Sequence, residues 1–140
     1  MKALRFYDVQ DLRYEDAPDP VIEKPDDVIV KVKAVGICGS DIARYRNLGP
    51  YVPGNVWGHE FCGEVVDPGD SDFRIGDRVD FLGLTWYCGE CDRVGRAEDI
   101  LCREAHGTKL YRLRLQRRLC GIFVGKAGNA YRLPDTVSDV

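Results

Sequence analysis

The chain has 140 residues, of which 44% are hydrophobic and 31% are charged, and its formal net charge at pH 7 is −3. This length and composition are typical of one globular domain with a buried core, and the slightly acidic balance gives no general attraction to nucleic acid or to an anionic membrane. The N-terminus lacks the apolar core of a signal peptide and no apolar run is long enough to span a bilayer, so we expect a cytoplasmic protein that binds neither nucleic acid nor membrane.

The first third of the chain predicts short strands separated by turns. Residues 2–7 and 12–16 carry aromatic side chains on both sides of a polar turn, which predicts a β-hairpin. After two Pro-containing breaks, residues 28–35 alternate apolar and charged side chains, as a half-buried strand does. A short helix is predicted next, with Ser40 or Asp41 as its cap.

The rest of the chain continues the pattern of strands and turns. A loop rich in Gly and Pro over residues 47–55 precedes a predicted strand over 60–66. A second turn-then-strand unit covers residues 76–82, and a short closing strand is predicted over 129–134. Residues 86–106 contain three cysteines and little periodicity, which predicts a loop lobe. Many short strands between Gly and Pro turns favour a mainly β, barrel-like domain over a doubly wound sheet.

Two side chains, Cys38 and His59, are the basis of the functional hypothesis. Thiolate and neutral imidazole are ligands that zinc favours, and a catalytic zinc site has three protein ligands and one open position. Glu60 is the nearest carboxylate that could complete the set or exchange into it. Asp41 is predicted to accept a hydrogen bond from the ligand imidazole, and Ser40 to place a hydroxyl where it can pass a proton outward. Such a site would polarise an alcohol or carbonyl oxygen.

Each of these residues also has an ordinary explanation. A lone Cys at a strand end is usually a small buried hydrophobe, and a lone His is usually solvated or hydrogen-bonded. A further motif favours metal: Cys88 and Cys91 have the spacing of a structural zinc knuckle, and Cys102 follows. Because a closed zinc site takes four ligands, the three cysteines predict an incomplete structural site, with a redox motif or coincidence as the alternatives.

Several motifs occur in the order and at the approximate spacing of one known family. They are the segments Gly-Ile-Cys-Gly-Ser-Asp, Gly-His-Glu, Gly-Asp-Arg-Val, Cys-Gly-Glu-Cys and Tyr-Arg-Leu-Pro-Asp, at residues 36–41, 58–60, 76–79, 88–91 and 131–135. Together they resemble the N-terminal GroES-like catalytic domain of zinc-dependent medium-chain alcohol and polyol dehydrogenases, nearest the sorbitol and threonine dehydrogenase branch. The resemblance implies that residues 1–140 form one such domain, a β-rich barrel with short helices and a cysteine-containing lobe.

The resemblance also implies roles for individual residues. In that family the residues matching Cys38, His59 and Glu60 bind or approach the catalytic zinc, and the serine matching Ser40 relays a proton. The tyrosine matching Tyr45 often borders the substrate pocket. The implied reaction is hydride transfer between a small alcohol, polyol or carbonyl substrate and NAD or NADP, with zinc polarising the substrate oxygen.

Some departures from the family pattern limit what this chain is expected to do by itself. Ala43 stands where the family commonly has a relay histidine, and Val94 where the structural site has its third cysteine. The chain ends at Val140, before a nucleotide-binding half, and the glycines of residues 121–128 do not fit a dinucleotide fingerprint. We therefore expect neither NAD(P) binding nor turnover from this chain alone, and the sequence leaves a homo-oligomer open.

Residues 110–124 are a further departure. The family usually has a strand reading about Asp-Gly-Gly-Phe-Ala-Glu-Tyr there, whereas residues 117–123 read Arg-Arg-Leu-Cys-Gly-Ile-Phe. One permissible set of codons for that stretch encodes Asp-Gly-Phe-Ala-Glu-Tyr when its first base is dropped. A frame-shifted insert over about residues 110–124 is therefore one hypothesis. The segment, with the residue before it, carries a basic run, and a solvated strand face is the ordinary explanation of that run, while a nucleic-acid patch is the least favoured; the run is Lys109, Arg112, Arg114, Arg117 and Arg118.

Two other classes of function compete with an enzyme. A zinc-binding or interaction module would share the fold and have no catalytic activity. A co-chaperonin is disfavoured, because it would need neither Cys38 nor His59. Zinc content distinguishes the enzyme and the module from the co-chaperonin. Activity after a downstream nucleotide-binding domain is supplied distinguishes the enzyme from the module.

Overall fold

A computed structural model of the protein describes residues 1–81 and 120–139. Every strand pair in these residues is antiparallel, and helical structure is confined to short segments, none of which is long and apolar enough to cross a membrane. The elements are β1 (Lys2–Asp8), β2 (Asp11–Asp16), β3 (Asp27–Gly36), α1 (Gly39–Ala43), a π-helical turn (Arg44–Leu48), β4 (Asn55–Val56), β5 (Glu60–Asp67), β6 (Arg78–Phe81), β7 (Ile122–Lys126), a 3-10 turn (Ala127–Asn129) and β8 (Ala130–Arg132). The mainly β fold class is confirmed.

A three-stranded sheet in the order β2-β1-β4 contains the predicted N-terminal hairpin. Lys2 pairs with Asp16 and Phe6 pairs with Leu12, so the two strands are in register over most of their length. The turn between them places Gln10 at a φ of 60°, the left-handed conformation that tight hairpin turns use. Ala3 of β1 is fully buried and packs with Ala17 and Val56, so this sheet has its own small core.

A five-stranded sheet in the order β7-β3-β5-β6-β8 curls into half a barrel and carries the main core. The core consists of alternate side chains of these strands: Val28, Val30, Phe61, Val65, Val79, Phe81 and Phe123. Its three phenylalanine rings have centroids 4.7 to 5.3 Å apart, a spacing at which aromatic edges and faces attract. The sheet pairs β3 with β5 along almost their whole length, so the ends of these two strands lie side by side.

The short helix begins earlier than predicted. Its N-cap is Cys38, and Asp41 is the third helical residue, whose carboxylate accepts a hydrogen bond from the Cys38 backbone N–H at 3.1 Å. The predicted cap was therefore wrong, because this carboxylate reaches back to the cap instead of forming it. After Ala43 the chain continues in the π-helical turn, whose C-cap is Gly49 with a φ of 69°.

The strand β7 occupies part of a segment for which the sequence raised a frame-shift hypothesis. Val124 pairs with Ile29 of β3, and Phe123 is 4% exposed in the main core. At its far end, Lys126 contacts Asp27, which is buried and accepts hydrogen bonds from two backbone N–H groups of the preceding turn. Residues 110–119 lie outside the described residues, and the reading frame of residues 110–124 stays a prediction.

Candidate metal centre

The predicted ligands lie where β3 ends and β5 begins. Gly36 closes β3 and pairs with Glu60, which opens β5. Cys38 follows β3 by two residues and His59 precedes β5 by one, so both lie at the same end of this strand pair. The residue before His59 is Gly58, whose φ of 91° is a conformation that side chains disfavour. Strand pairing thus brings together residues that are distant in the sequence.

The side chains of Cys38, His59 and Glu60 form a compact group. Each offers one ligand atom, and these sulfur, nitrogen and oxygen atoms all lie within 4.8 Å of one another. Ligand atoms around a tetrahedral zinc ion are about 3–4 Å apart, given its bond lengths, so small side-chain rotations would bring the three to coordination distance. Cys38 and His59 are half-buried and Glu60 is exposed. Among residues 1–81 and 120–139 this is the one such group of three metal-binding side chains.

Asp41 is buried behind this group and contacts two of its members. One carboxylate oxygen accepts the Cys38 backbone N–H at 3.1 Å, and the other lies 3.4 Å from Nδ1 of His59. The side chain of Asp41 is only 8% exposed. A carboxylate at Nδ1 favours the tautomer with the proton on that nitrogen, which leaves Nε2 with a lone pair for a metal. The partner that the sequence predicted for the imidazole therefore lies beside it.

Ser40 and Tyr45 lie on the helical segment that follows Cys38. Ser40 is exposed in α1. Tyr45 is 41% exposed; its carbonyl accepts the backbone N–H of Gln10 at 2.9 Å, and its ring centroid is 6.4 Å from that of Phe6. In the part of the chain that the structure describes, no hydrogen bond or ion pair joins either side chain to the three candidate ligands. Their roles in proton relay and in the substrate pocket stay predictions.

Among the described residues, the two other cysteines, Cys62 and Cys120, do not join the group. Cys62 lies within β5; burial and then the Asp139 carboxylate raise the pKa of its thiol, so Cys62 stays protonated at neutral pH. The thiol of Cys120 donates a hydrogen bond to the carbonyl of Ile122. The predicted lobe over residues 86–106, with Cys88, Cys91 and Cys102, lies outside the described residues, and its structural zinc site stays a prediction.

Gly36 is a neighbour of the group that sequence reasoning missed. A methyl group built on its Cα would lie 2.8 Å from Oε2 of Glu60 and 3.1 Å from Cβ of Glu60. The glutamate side chain therefore occupies the space above this glycine. The signal for this contact is the register between β3 and β5, which a single sequence does not reveal.

The chain is similar to known proteins over most of its length. The family described as alcohol dehydrogenase GroES-like domain matches residues 24–136. L-threonine 3-dehydrogenase of Shewanella baltica (strain OS155) is 37% identical over 132 residues, which cover 89% of this chain and 37% of that protein. Sorbitol dehydrogenase of Bacillus subtilis (strain 168) is 39% identical over 109 residues, which cover 73% of this chain and 30% of that protein.

The chain is also similar to a solved alcohol dehydrogenase structure. Alcohol dehydrogenase TADH from Thermus sp. ATN1 superposes with a TM-score of 0.84 at 30% identity, and the match covers 99% of this chain and 42% of that chain. The chain therefore spans less than half the length of each of these three proteins.

Proposed function

Since the chain belongs to the family of GroES-like domains of zinc-dependent medium-chain alcohol dehydrogenases, we propose that it is the metal-binding catalytic part of an oxidoreductase. The reaction is hydride transfer between a small alcohol, polyol or carbonyl substrate and NAD or NADP. The observation that supports this most directly is the convergence of Cys38, His59 and Glu60 within 4.8 Å. Thiolate, imidazole and carboxylate are the donor types that zinc accepts together.

The chain's own residues divide the work of such a site. Cys38, His59 and Glu60 would hold a zinc ion, which when bound supplies Lewis-acid polarisation of the substrate oxygen. Asp41 keeps the proton on Nδ1 of His59 and holds the backbone that carries Cys38. The hydroxyl of Ser40, exposed at the start of α1, passes a proton between the substrate and solvent.

The substrate class is taken from the relatives and is part of the proposal. Threonine and sorbitol, which the names of two relatives specify, are small polar molecules that carry hydroxyl groups. Because this chain spans 37% and 30% of those proteins, we propose that NAD or NADP is held by a part of the enzyme outside the region that matches them. A cytoplasmic location and the lack of nucleic-acid and membrane partners remain predictions from composition.

Zinc analysis of the purified chain tests the metal centre. Cys38→Ser and His59→Ala are each expected to lower the zinc content, because each removes one donor of the group. Cys62→Ser is the matched control, since it removes a half-buried thiol outside the group. Elemental analysis after dialysis against a weak chelator measures the outcome. Zinc contents of Cys38→Ser and His59→Ala equal to that of the unmodified chain would refute the proposed site.

A further inference from the structure

We infer that Gly36 is a positioning residue whose missing side chain keeps the carboxylate of Glu60 beside Cys38 and His59. The inference rests on the proposed function, since it concerns the same metal centre. It assigns a role to a residue that offers no donor atom of its own.

The register of the sheet brings the two residues together. Gly36 and Glu60 are direct partners in the antiparallel pair of β3 and β5, and the side chains of directly opposite residues lie on the same face of a sheet. Glu60 fills the space that a side chain at position 36 would take: the distances from a built Cβ to Oε2, Cβ and Cδ of Glu60 are 2.8, 3.1 and 3.7 Å. The first of these is shorter than any ordinary contact, so a methyl group there forces the carboxylate to move.

Backbone conformation does not explain this glycine. Among the described residues, the glycines with a positive φ are Gly49, Gly54, Gly58, Gly69 and Gly76, and Gly36 lies within a regular strand instead. An alanine can adopt that backbone conformation without strain. The steric requirement at position 36 therefore comes from the side chain of Glu60.

The effect of adding a methyl group at a glycine depends on whether the methyl would overlap the backbone or a flexible side chain. At Gly63 an added methyl would lie 2.4 Å from the backbone carbonyl of Lys31, so the sheet itself would have to shift. At Gly36 the shortest contact is with the far end of a flexible side chain, which is exposed and can turn into solvent. Gly36→Ala is thus expected to leave the fold intact and to move the Glu60 carboxylate away from the other two ligands.

A double-mutant cycle on the full chain tests the inference. The variants are Gly36→Ala, Glu60→Ala and the two combined, and the matched control is Gly121→Ala, where an added methyl meets nothing within 4 Å. Apparent zinc affinity is measured by competition with a chromophoric chelator, and the fold of each metal-free variant is checked by circular dichroism and thermal unfolding.

The variants are expected to differ in zinc affinity. Gly36→Ala and Glu60→Ala each weaken zinc binding by about tenfold or more, in the range for groups that orient metal ligands. The double variant binds no more weakly than Glu60→Ala alone, because the methyl has no carboxylate left to displace, and Gly121→Ala binds like the unmodified chain. A Gly36→Ala variant with unchanged affinity, or losses that multiply in the double variant, would overturn the inference.

Comparison with Cys38→Ser separates failure of the proposed metal centre from failure of the role inferred for Gly36. If Cys38→Ser binds zinc as well as the unmodified chain does, the proposed metal centre fails. If Cys38→Ser loses zinc and Gly36→Ala does not, only the role of Gly36 fails. Should Gly36→Ala prevent folding, Gly36→Ala combined with Glu60→Gly is expected to fold, since this pair lacks the Oε2, Cβ and Cδ atoms that a methyl group at position 36 would meet. If that combined variant also fails to fold, the steric conflict lies elsewhere and the inference is overturned.

Discussion

Replacing Asp41 by Asn tests whether this buried carboxylate supports metal binding by Cys38 and His59. The exchange keeps the shape of the side chain and removes its charge. The amide oxygen can still accept the Cys38 backbone N–H, so the start of α1 is preserved. The atom facing Nδ1 of His59 at 3.4 Å, however, becomes the amide nitrogen, an N–H donor, where the native chain has a carboxylate oxygen. The ring is no longer held with its proton on Nδ1.

The expected magnitude follows from this contact. Removing the carboxylate that orients a ligand histidine typically lowers metal affinity 10–100-fold, which is about 1.4–2.8 kcal/mol of binding free energy. The free energy of unfolding of the metal-free chain should change less, because the hydrogen bond to the backbone is retained. The two quantities therefore respond differently to one substitution.

Zinc titration against a competing chelator, with thermal unfolding of the metal-free protein beside it, measures both quantities. Asp19→Asn is the matched control, since Asp19 is an exposed aspartate whose carboxylate pairs with the amino terminus, away from the group. Equal zinc affinity in the Asp41→Asn and Asp19→Asn variants would show that the contact with His59 does not support metal binding.

Other predictions concern stability and the origin of one segment. Phe123→Ala should lower the free energy of unfolding by about 3–5 kcal/mol, as for other buried aromatic residues, and denaturant titration measures this; a loss below 1 kcal/mol would contradict the described position of β7. Burial alone would raise the pKa of Asp27, but hydrogen bonds from the backbone N–H groups of Lys24 and Glu23 and the charge of Lys126 outweigh it, and the pKa is lowered. The stabilising contribution of this carboxylate is therefore present above its unfolded pKa of about 3.9 and is lost as pH falls through the lower folded value. In denaturant titrations across pH, Asp27→Asn should be less stable than the unmodified chain at pH 7, with a gap that narrows below about pH 4; a gap independent of pH would contradict this account. Finally, the nucleotide sequence of the gene across codons 110–124 decides the frame-shift hypothesis, which codons incompatible with the shifted reading would exclude.

Local pattern predicted the parts of the fold in which neighbours in sequence are also neighbours in space. The hairpin of β1 and β2 and the alternation in β3 are of this kind, and both are confirmed. The strand β7 was not predicted as such, because its partner β3 lies far away in the chain and its five residues carry no strong alternation. Its place depends on a tertiary contact, the burial of Phe123 between two other rings.

In the candidate site, too, some features were predicted from the sequence and one depends on strand pairing. Donor chemistry, together with the Cys-x-x-Cys motif and the family resemblance, pointed to Cys38, His59 and Glu60, and the structure brings the three together. Asp41 was predicted as the partner of the imidazole, and its second contact, with the Cys38 N–H, shows why the helix cap was misassigned. The sequence placed Gly36 in a motif but could not reveal its contact with Glu60, since that contact exists only through strand register.

The two pairings of β3 differ in how they constrain the order of folding. Pairing with β5 joins Gly36 to Glu60 and closes a short loop, whereas pairing with β7 joins Asp27 to Lys126, which are 99 positions apart. Loop-closure entropy makes the longer connection costlier by about 1 kcal/mol, and non-local pairings form more slowly. We expect the strand pair that assembles Cys38 and His59 to form before β7 docks, so zinc present during synthesis would meet its ligands while the barrel is still open.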